Sequence, residues 1–327
     1  MSTELQGTNL EAPASMPKKE KGMKLRNPFK RIMDNPVILK ELRGRMRGKQ
    51  AFILLTVYLG LIAILIGIMY ISVTSGSSSM RWNPSLRQEV GKAIFGGVVL
   101  LELLLVSFIG PGLTAGAITG EREHQTFDLL RTTLLSASSL VLGKLGSSFT
   151  YLFLLILTAL PIQSIAFLLG GVGVGELVVS SLMLIVTAIF FCTLGIFFSS
   201  FMKRTLTATI SSYGTILASF LMIVVVFFII LYVENTSSFN NNTMGPVREY
   251  LFTMFIWALV SINPFLAAIM SEVILVEEQS LFYFQESLFG NTQFVLISPW
   301  IIYIAIHLVL TMLLIFLSII RVRRPDR

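Results

Sequence analysis

Apolar residues fall along this chain in long unbroken runs, not at alternate positions or on one helical face. A helix needs about 20 apolar residues to cross a hydrocarbon core about 30 Å thick. Six runs reach that length, at 51–73, 93–118, 145–169, 177–201, 205–233 and 299–320. A transmembrane barrel would instead alternate polar and apolar over strands of about ten residues. The pattern predicts an all-α integral membrane protein with six transmembrane helices. Composition agrees: 54% of the residues are apolar and 13% charged, where a soluble domain carries about a quarter charged residues.

One further stretch, "LFTMFIWALVSINPFLAAIMSEVIL" at 251–275, is long enough for a seventh crossing. Asn263-Pro264 lies at its middle, and proline removes a backbone donor and disfavours helix in the residue before it. Each half then holds about 12 residues, or about 18 Å at 1.5 Å per residue, which is too short to cross. The expectation is a pair of re-entrant half-helices entering from the outer side between spans five and six. Glu272, Glu277, Glu278 and Glu286 follow with no Lys or Arg between 249 and 320, which is compatible with an outer location.

Placing the charges fixes the expected orientation, because Lys and Arg are retained on the cytoplasmic side. With the N-terminus inside, the inner segments hold 21 of the 25 Lys and Arg, and the outer segments hold Arg81, Arg87, Lys92 and Arg248. Both termini are therefore expected in the cytoplasm, with the chain in the cell (cytoplasmic) membrane. No cleavable leader is evident in the first fifty residues, which lack an apolar core, so the first span is expected to act as the anchor. Residues 1–26 are polar and too poor in apolar side chains to bury a core, and read as a disordered tail. In 27–50, Ile38, Leu42 and Met46 recur at i, i+4 and i+8 among Lys40, Arg43, Arg45, Arg47 and Lys49. That pattern predicts an interfacial amphipathic helix on anionic headgroups, although the same charges would also serve only as a topology signal. Residues 51–320 form the six-span domain, and 321–327 a cytoplasmic tail.

The loop between the second and third spans is unusual in its content: "GEREHQTFDLLRTTLLSASSLVLGKL". Thr126 is placed to cap a short helix, with Asp128 in its first turn and Arg131 towards its end, matching the helix dipole. Phe127, Leu130 and Leu134 recur at i, i+3 and i+7 and form an apolar edge flanked by Glu121, Arg122, Glu123, Asp128 and Arg131. Periodicity alone fits either a partner-binding edge or a loop helix packed on the protein's own inner surface.

This loop, together with "NPVILKELRGRMRG" ahead of the first span, resembles the membrane subunits of type-2 ATP-binding-cassette (ABC) exporters, the ABC-2 type permeases. Glu121, Arg122 and Glu123 match the family's charged start, Thr126 its threonine, Asp128-Leu129-Leu130 its helix, and Gly143-Lys144 the opening of its third span. Gln125 stands where the family usually has glycine, and Leu134 where it has proline. The resemblance implies a cytoplasmic coupling helix seated in a groove of a separate ATPase subunit. It also implies a transport path formed with a second permease copy or a similar chain. The family layout includes the amphipathic and re-entrant helices already read from the residues.

Several chemistries are not expected. No phosphate-binding G-x-x-x-x-G-K-[ST] occurs, so ATP hydrolysis would belong to another subunit. The two histidines, His124 and His307, are too few and too far apart for a zinc site, and Cys192 is alone. No catalytic residue, metal, cofactor or nucleic-acid partner is expected; the partners implied are the ATPase, a second permease chain and the lipid bilayer. The rival classes are a membrane scaffold, which would need a recognisable soluble domain, and an intramembrane hydrolase. No aspartate lies in any of the six spans to support the latter.

Two ionisable residues do lie within spans. Glu102 and His307 each sit about 12 Å from the outer end of their run. Equal depth permits them to pair if the second and sixth spans are neighbours. Glu102 could equally be protonated or bonded to a hydroxyl as helix glue, or face a substrate path, since an unpaired charge there costs from a few kcal/mol upward.

Overall fold

The computed structural model describes residues 44, 49–75, 84–127, 136–169, 171–240, 246–277, 281–286 and 294–323. The expected tail at 1–26, the interfacial helix with Ile38, Leu42 and Met46, and the last four residues of the C-terminal tail fall outside them. The helices are α1 (Lys49–Ser75), α2 (Pro84–Thr114), the short α3 (Thr119–Glu123), α4 (Ala137–Leu169), α5 (Val174–Phe201), α6 (Thr205–Asn240), α7 (Pro246–Ile262), α8 (Pro264–Glu277) and α9 (Pro299–Arg323). Among the described residues six helices are long and apolar enough to cross a membrane: α1, α2 with its continuation through α3, α4, α5, α6 and α9. They contain the six apolar runs and extend past them. Lys144 and the polar turn before Val90 are helical as well, because apolar counting stops where a helix leaves the hydrocarbon but the backbone bonding does not.

α5 is the central element, packing against α2 and α9 most extensively and against α4 and α6. In its most apolar window 61% of residues are buried, against 11% for α1 and 17% for α6. Its composition explains this. Lipid is as apolar as leucine, so spans associate through close packing, and small residues let backbones approach. α5 buries Ser180, Thr187, Ala188, Cys192, Thr193, Gly195, Ser199 and Ser200 along its length. Ser180, Thr187, Thr193 and Ser200 return their hydroxyls to their own helix, as in Thr187 Oγ1 to Met183 O at 2.7 Å and Thr193 Oγ1 to Ile189 O at 2.7 Å. α1 and α6 instead present large apolar side chains outward, among them Ile64, Ile68, Leu217, Leu221 and Phe228. Such faces are at home in lipid and would be a liability in water.

The Asn263-Pro264 break is a helix cap. α7 and α8 meet at 112°. Asn263 Oδ1 accepts from the backbone N–H of Phe265 at 2.9 Å and of Leu266 at 3.2 Å, while Pro264 occupies the first helical position. Asparagine before proline suits that geometry, since the cap supplies an acceptor and proline spends no needed donor. Asn263 Nδ2 also donates to Ser219 O at 2.6 Å, which pins the apex to α6.

An antiparallel pair of short strands, β1 (Tyr283–Glu286) and β2 (Phe294–Ile297), departs from the all-α expectation. Trp257 Nε1 donates to Ile297 O at 2.9 Å and Trp300 Nε1 to Leu281 O at 2.7 Å, so a buried indole and a half-buried one tie the strand pair to α7 and α9.

Candidate functional site

The charged start of the loop after α2 does not project freely. Each of its three charged residues reaches a different part of the helical bundle. Glu121 Oε1 lies 3.3 Å from Lys144 Nζ, near the start of α4. Arg122 Nη1 donates to Met202 O, the C-cap of α5, at 2.9 Å. Glu123 accepts from Thr205 at the start of α6 through both oxygens, from the backbone N–H and from the hydroxyl, each at 2.8 Å. A carboxylate at that end of a helix meets an otherwise unpaired N–H and the positive end of the dipole.

Beneath these ties lies a buried hydroxyl knot. Ser199 Oγ accepts from the N–H groups of Ile118 at 2.8 Å and Thr119 at 3.0 Å, where α2 unwinds into α3. Thr205 Oγ1 lies 3.1 Å from Thr119 Oγ1, which is itself 3.3 Å from Ser199 Oγ. Backbone groups left over by the turn at 115–118 are thus satisfied from α5, and α6 joins through the hydroxyl of Thr205.

α3 then closes on itself. Gln125 N–H donates to Arg122 O at 3.0 Å and Thr126 N–H to Glu121 O at 2.9 Å, and Gln125 has φ +58°. These two bonds around a left-handed residue make a Schellman cap, which glycine usually occupies because it has no Cβ to clash. The turn therefore forms with Gln125 in the position where the resembling family has glycine, and the side chain carries the strain of a left-handed backbone.

No protein-family model matches the chain, and no curated protein matches it in sequence. The case for any function rests on the residues and their geometry.

Thr126, expected as an N-cap, directs its hydroxyl backward to Glu121, to the backbone oxygen at 3.2 Å and to the carboxylate. Of the two arrangements that periodicity allowed for the apolar edge, Phe127 takes the inward one. It is 5% exposed, joins the main core cluster, and has Arg122 Cζ 5.1 Å from its ring centroid. A cation over an aromatic face contributes about 0.5–1 kcal/mol at such sites. Periodicity identified the face but could not say whether a partner or the protein itself covers it; for Phe127 it is the protein. Asp128, Leu130 and Arg131 lie outside the described residues. What faces outward is the turn Glu123, His124, Gln125 and Thr126.

Deeper in the bundle, Glu102 and His307 do not make the pair that equal depth permitted. α2 and α9 each pack chiefly on α5. Glu102 Oε2 accepts from Gln163 Nε2 of α4 at 2.7 Å. His307 Nδ1 lies 3.0 Å from Tyr303 O of its own helix, with its ring against Phe190 and Tyr303 at centroid distances of 4.6 and 4.0 Å. Sequence reasoning missed Gln163, although the depth argument could have found it: six residues from the C-terminal end of its run, it lies about 9 Å from that end. Lys144 was recognised only as part of a motif, and its role as the partner of Glu121 required the fold. Among the described residues no group of three His, Cys, Asp or Glu could hold a metal ion.

Proposed function

We propose that this chain is the membrane-spanning permease subunit of an ATP-driven exporter of the ABC-2 type, with the loop after α2 as its coupling element. The observation that carries the reading is the triple attachment of Glu121, Arg122 and Glu123 to Lys144, Met202 and Thr205. A displacement applied to the outward turn at His124–Thr126 is handed at once to α4, α5 and α6. An energy-coupling loop needs such a lever, and a passive connector between two spans has no use for it. The motif match at Glu121-Arg122-Glu123, Thr126 and Gly143-Lys144 points the same way. On this reading a separate ATPase subunit docks on the turn. Two permease chains, identical or similar, enclose the transport path in the cytoplasmic membrane, with both termini in the cytoplasm.

The same reading makes α7 and α8 a re-entrant pair open to the outer side. Their 112° bend and the cap at Asn263 support two half-helices over one crossing helix. In a Cys192→Ser background, a cysteine at Gln285 should react with an impermeant thiol reagent from outside and one at Arg323, which is exposed, only from inside. Labelling of position 323 from outside would make the number of crossings odd and remove this topology.

The functional test is purification of the intact protein in mild detergent. The expected partner is a subunit that carries a phosphate-binding loop and hydrolyses ATP, with its activity altered by the permease. Purification without any ATPase, under conditions that preserve the oligomer, would favour a membrane scaffold.

A further inference from the structure

Three polar side chains from three helices meet in the apolar interior of the bundle: Tyr58 of α1, Glu102 of α2 and Gln163 of α4, which are 2%, 0% and 1% exposed. Tyr58 lies within electrostatic range of Glu102, and Gln163 is bonded to it. Yet Glu102 Oε1, Gln163 Oε1 and the Tyr58 hydroxyl are all buried without a hydrogen-bond partner. Orphaned buried polar atoms are rare and costly. Here two of the three are acceptors on side chains already joined by one hydrogen bond, and neither can satisfy the other while the carboxyl is ionised.

We propose that Glu102 and Gln163 form an intramembrane proton-binding site, in which Glu102 is held as the neutral acid and its Oε1–H donates to Gln163 Oε1. One proton then resolves two orphan atoms at once. The acid hydroxyl gains an acceptor and the amide carbonyl gains a donor, while Gln163 Nε2 keeps its bond to Glu102 Oε2. The result is a closed pair of hydrogen bonds between an acid and an amide, matched donor to acceptor. The ionised alternative leaves a charge in the core of the spans with one neutral hydrogen bond and no cation, at a cost of several kcal/mol.

Among the described residues no cation bonds the Glu102 carboxyl. α1, α4, α5, α6 and α8 pack against α2. Of their ionisable groups, Lys144 is engaged by Glu121, Tyr151 donates to Ala51 O, and Tyr213 donates to Phe108 O. Glu176 acts on Glu272, Cys192 is a buried thiol, and Glu102 acts on Tyr58. Tyr58 also lines an apolar cavity of about 440 Å³ bounded by Ile53, Val57, Leu61, Leu105 and Ile109.

Infrared difference spectroscopy of the full chain in lipid nanodiscs, wild type against Glu102→Gln, tests the site directly. At neutral pH the expected difference is the loss of one carboxylic-acid C=O band that shifts in D2O. In Gln163→Leu the same band should persist but move to higher frequency, because its acid loses the amide partner. A difference confined to carboxylate bands would overturn the proposal, whether water or another group satisfies the ionised form. Stability gives an independent reading. Glu102→Gln copies the shape of the neutral acid and keeps an amide partner, so its thermal midpoint should stay within a degree or two of wild type, where one kcal/mol corresponds to about 2–4 °C. Misfolding or a large fall in Glu102→Gln would equally overturn it.

Discussion

Glu121→Lys is expected to lower the thermal midpoint of the detergent-solubilised protein by several degrees, and Lys144→Glu to do the same, while the double exchange recovers most of the loss. Lys144 has 6% of its side chain exposed and Glu121 33%. An exposed pair would contribute about 1 kcal/mol or less. The asymmetry changes the outcome, because reversing Glu121 places a second ammonium against a cation that cannot reach water. Breaking a fully buried pair costs about 3–5 kcal/mol. With Glu121 a third exposed, we expect the lower part of that range or below it. Restoring opposite charges in the reversed order returns the Coulomb attraction, so the two effects must be non-additive. Thermal unfolding of the four proteins in one detergent checks this. Additive losses, or two harmless single variants, would remove Glu121–Lys144 as one of the loop's three attachments.

Gly195→Val should be more damaging still, preventing α2 and α5 from closing. A Cβ at 195 would overlap Thr114 Oγ1 and stand 3.1 Å from Pro111 Cα. The hydroxyl can turn away, but the backbone of α2 cannot. Thr114 Oγ1 is also engaged, donating to Gly110 O at 2.9 Å. Overpacking of this kind costs about 1–3 kcal/mol for the first carbon and more for a branched side chain. Gly214 in α6 is the control, since a Cβ there meets nothing within 4 Å. Gly214→Ala should leave stability unchanged or raise it, because alanine is the better helix former by about 1 kcal/mol. Yield of monodisperse protein and its thermal midpoint distinguish the two, and equal tolerance at both positions would mean that α2 and α5 are not in close contact.

How much of this could be read from the chain follows from the range of each signal. Helices that must satisfy every backbone group internally advertise themselves as long apolar runs, so the six spans were legible, and so was the break at Asn263-Pro264. The ends were less so, since Pro84–Glu89 and Ala137–Lys144 are polar enough to fall outside an apolar count yet remain helical. The β1–β2 pair left no usable pattern, with strands of only four residues that are tied to α7 by the indole of Trp257, 40 residues from Ile297. In the candidate site, Glu121, Arg122 and Glu123 could be singled out by type. Their partners Lys144, Met202 and Thr205 lie 23, 80 and 82 residues away, and no local rule connects them. Phe127 shows the limit of periodicity, which names a face without naming what covers it. Glu102 shows the limit of depth, which allowed His307 while the fold chose Gln163.

The most direct test of the coupling assignment is the accessibility of one position. His124 is exposed at the tip of the Schellman turn, and Cys192 is buried and can be replaced by serine. In membrane vesicles carrying His124→Cys in that background, an impermeant thiol reagent should label the protein only in inside-out orientation. Adding the ATPase subunit should then slow that labelling at least tenfold, as burial in an interface requires. Labelling from the outer face, or a rate unchanged by saturating ATPase, would contradict a cytoplasmic coupling loop.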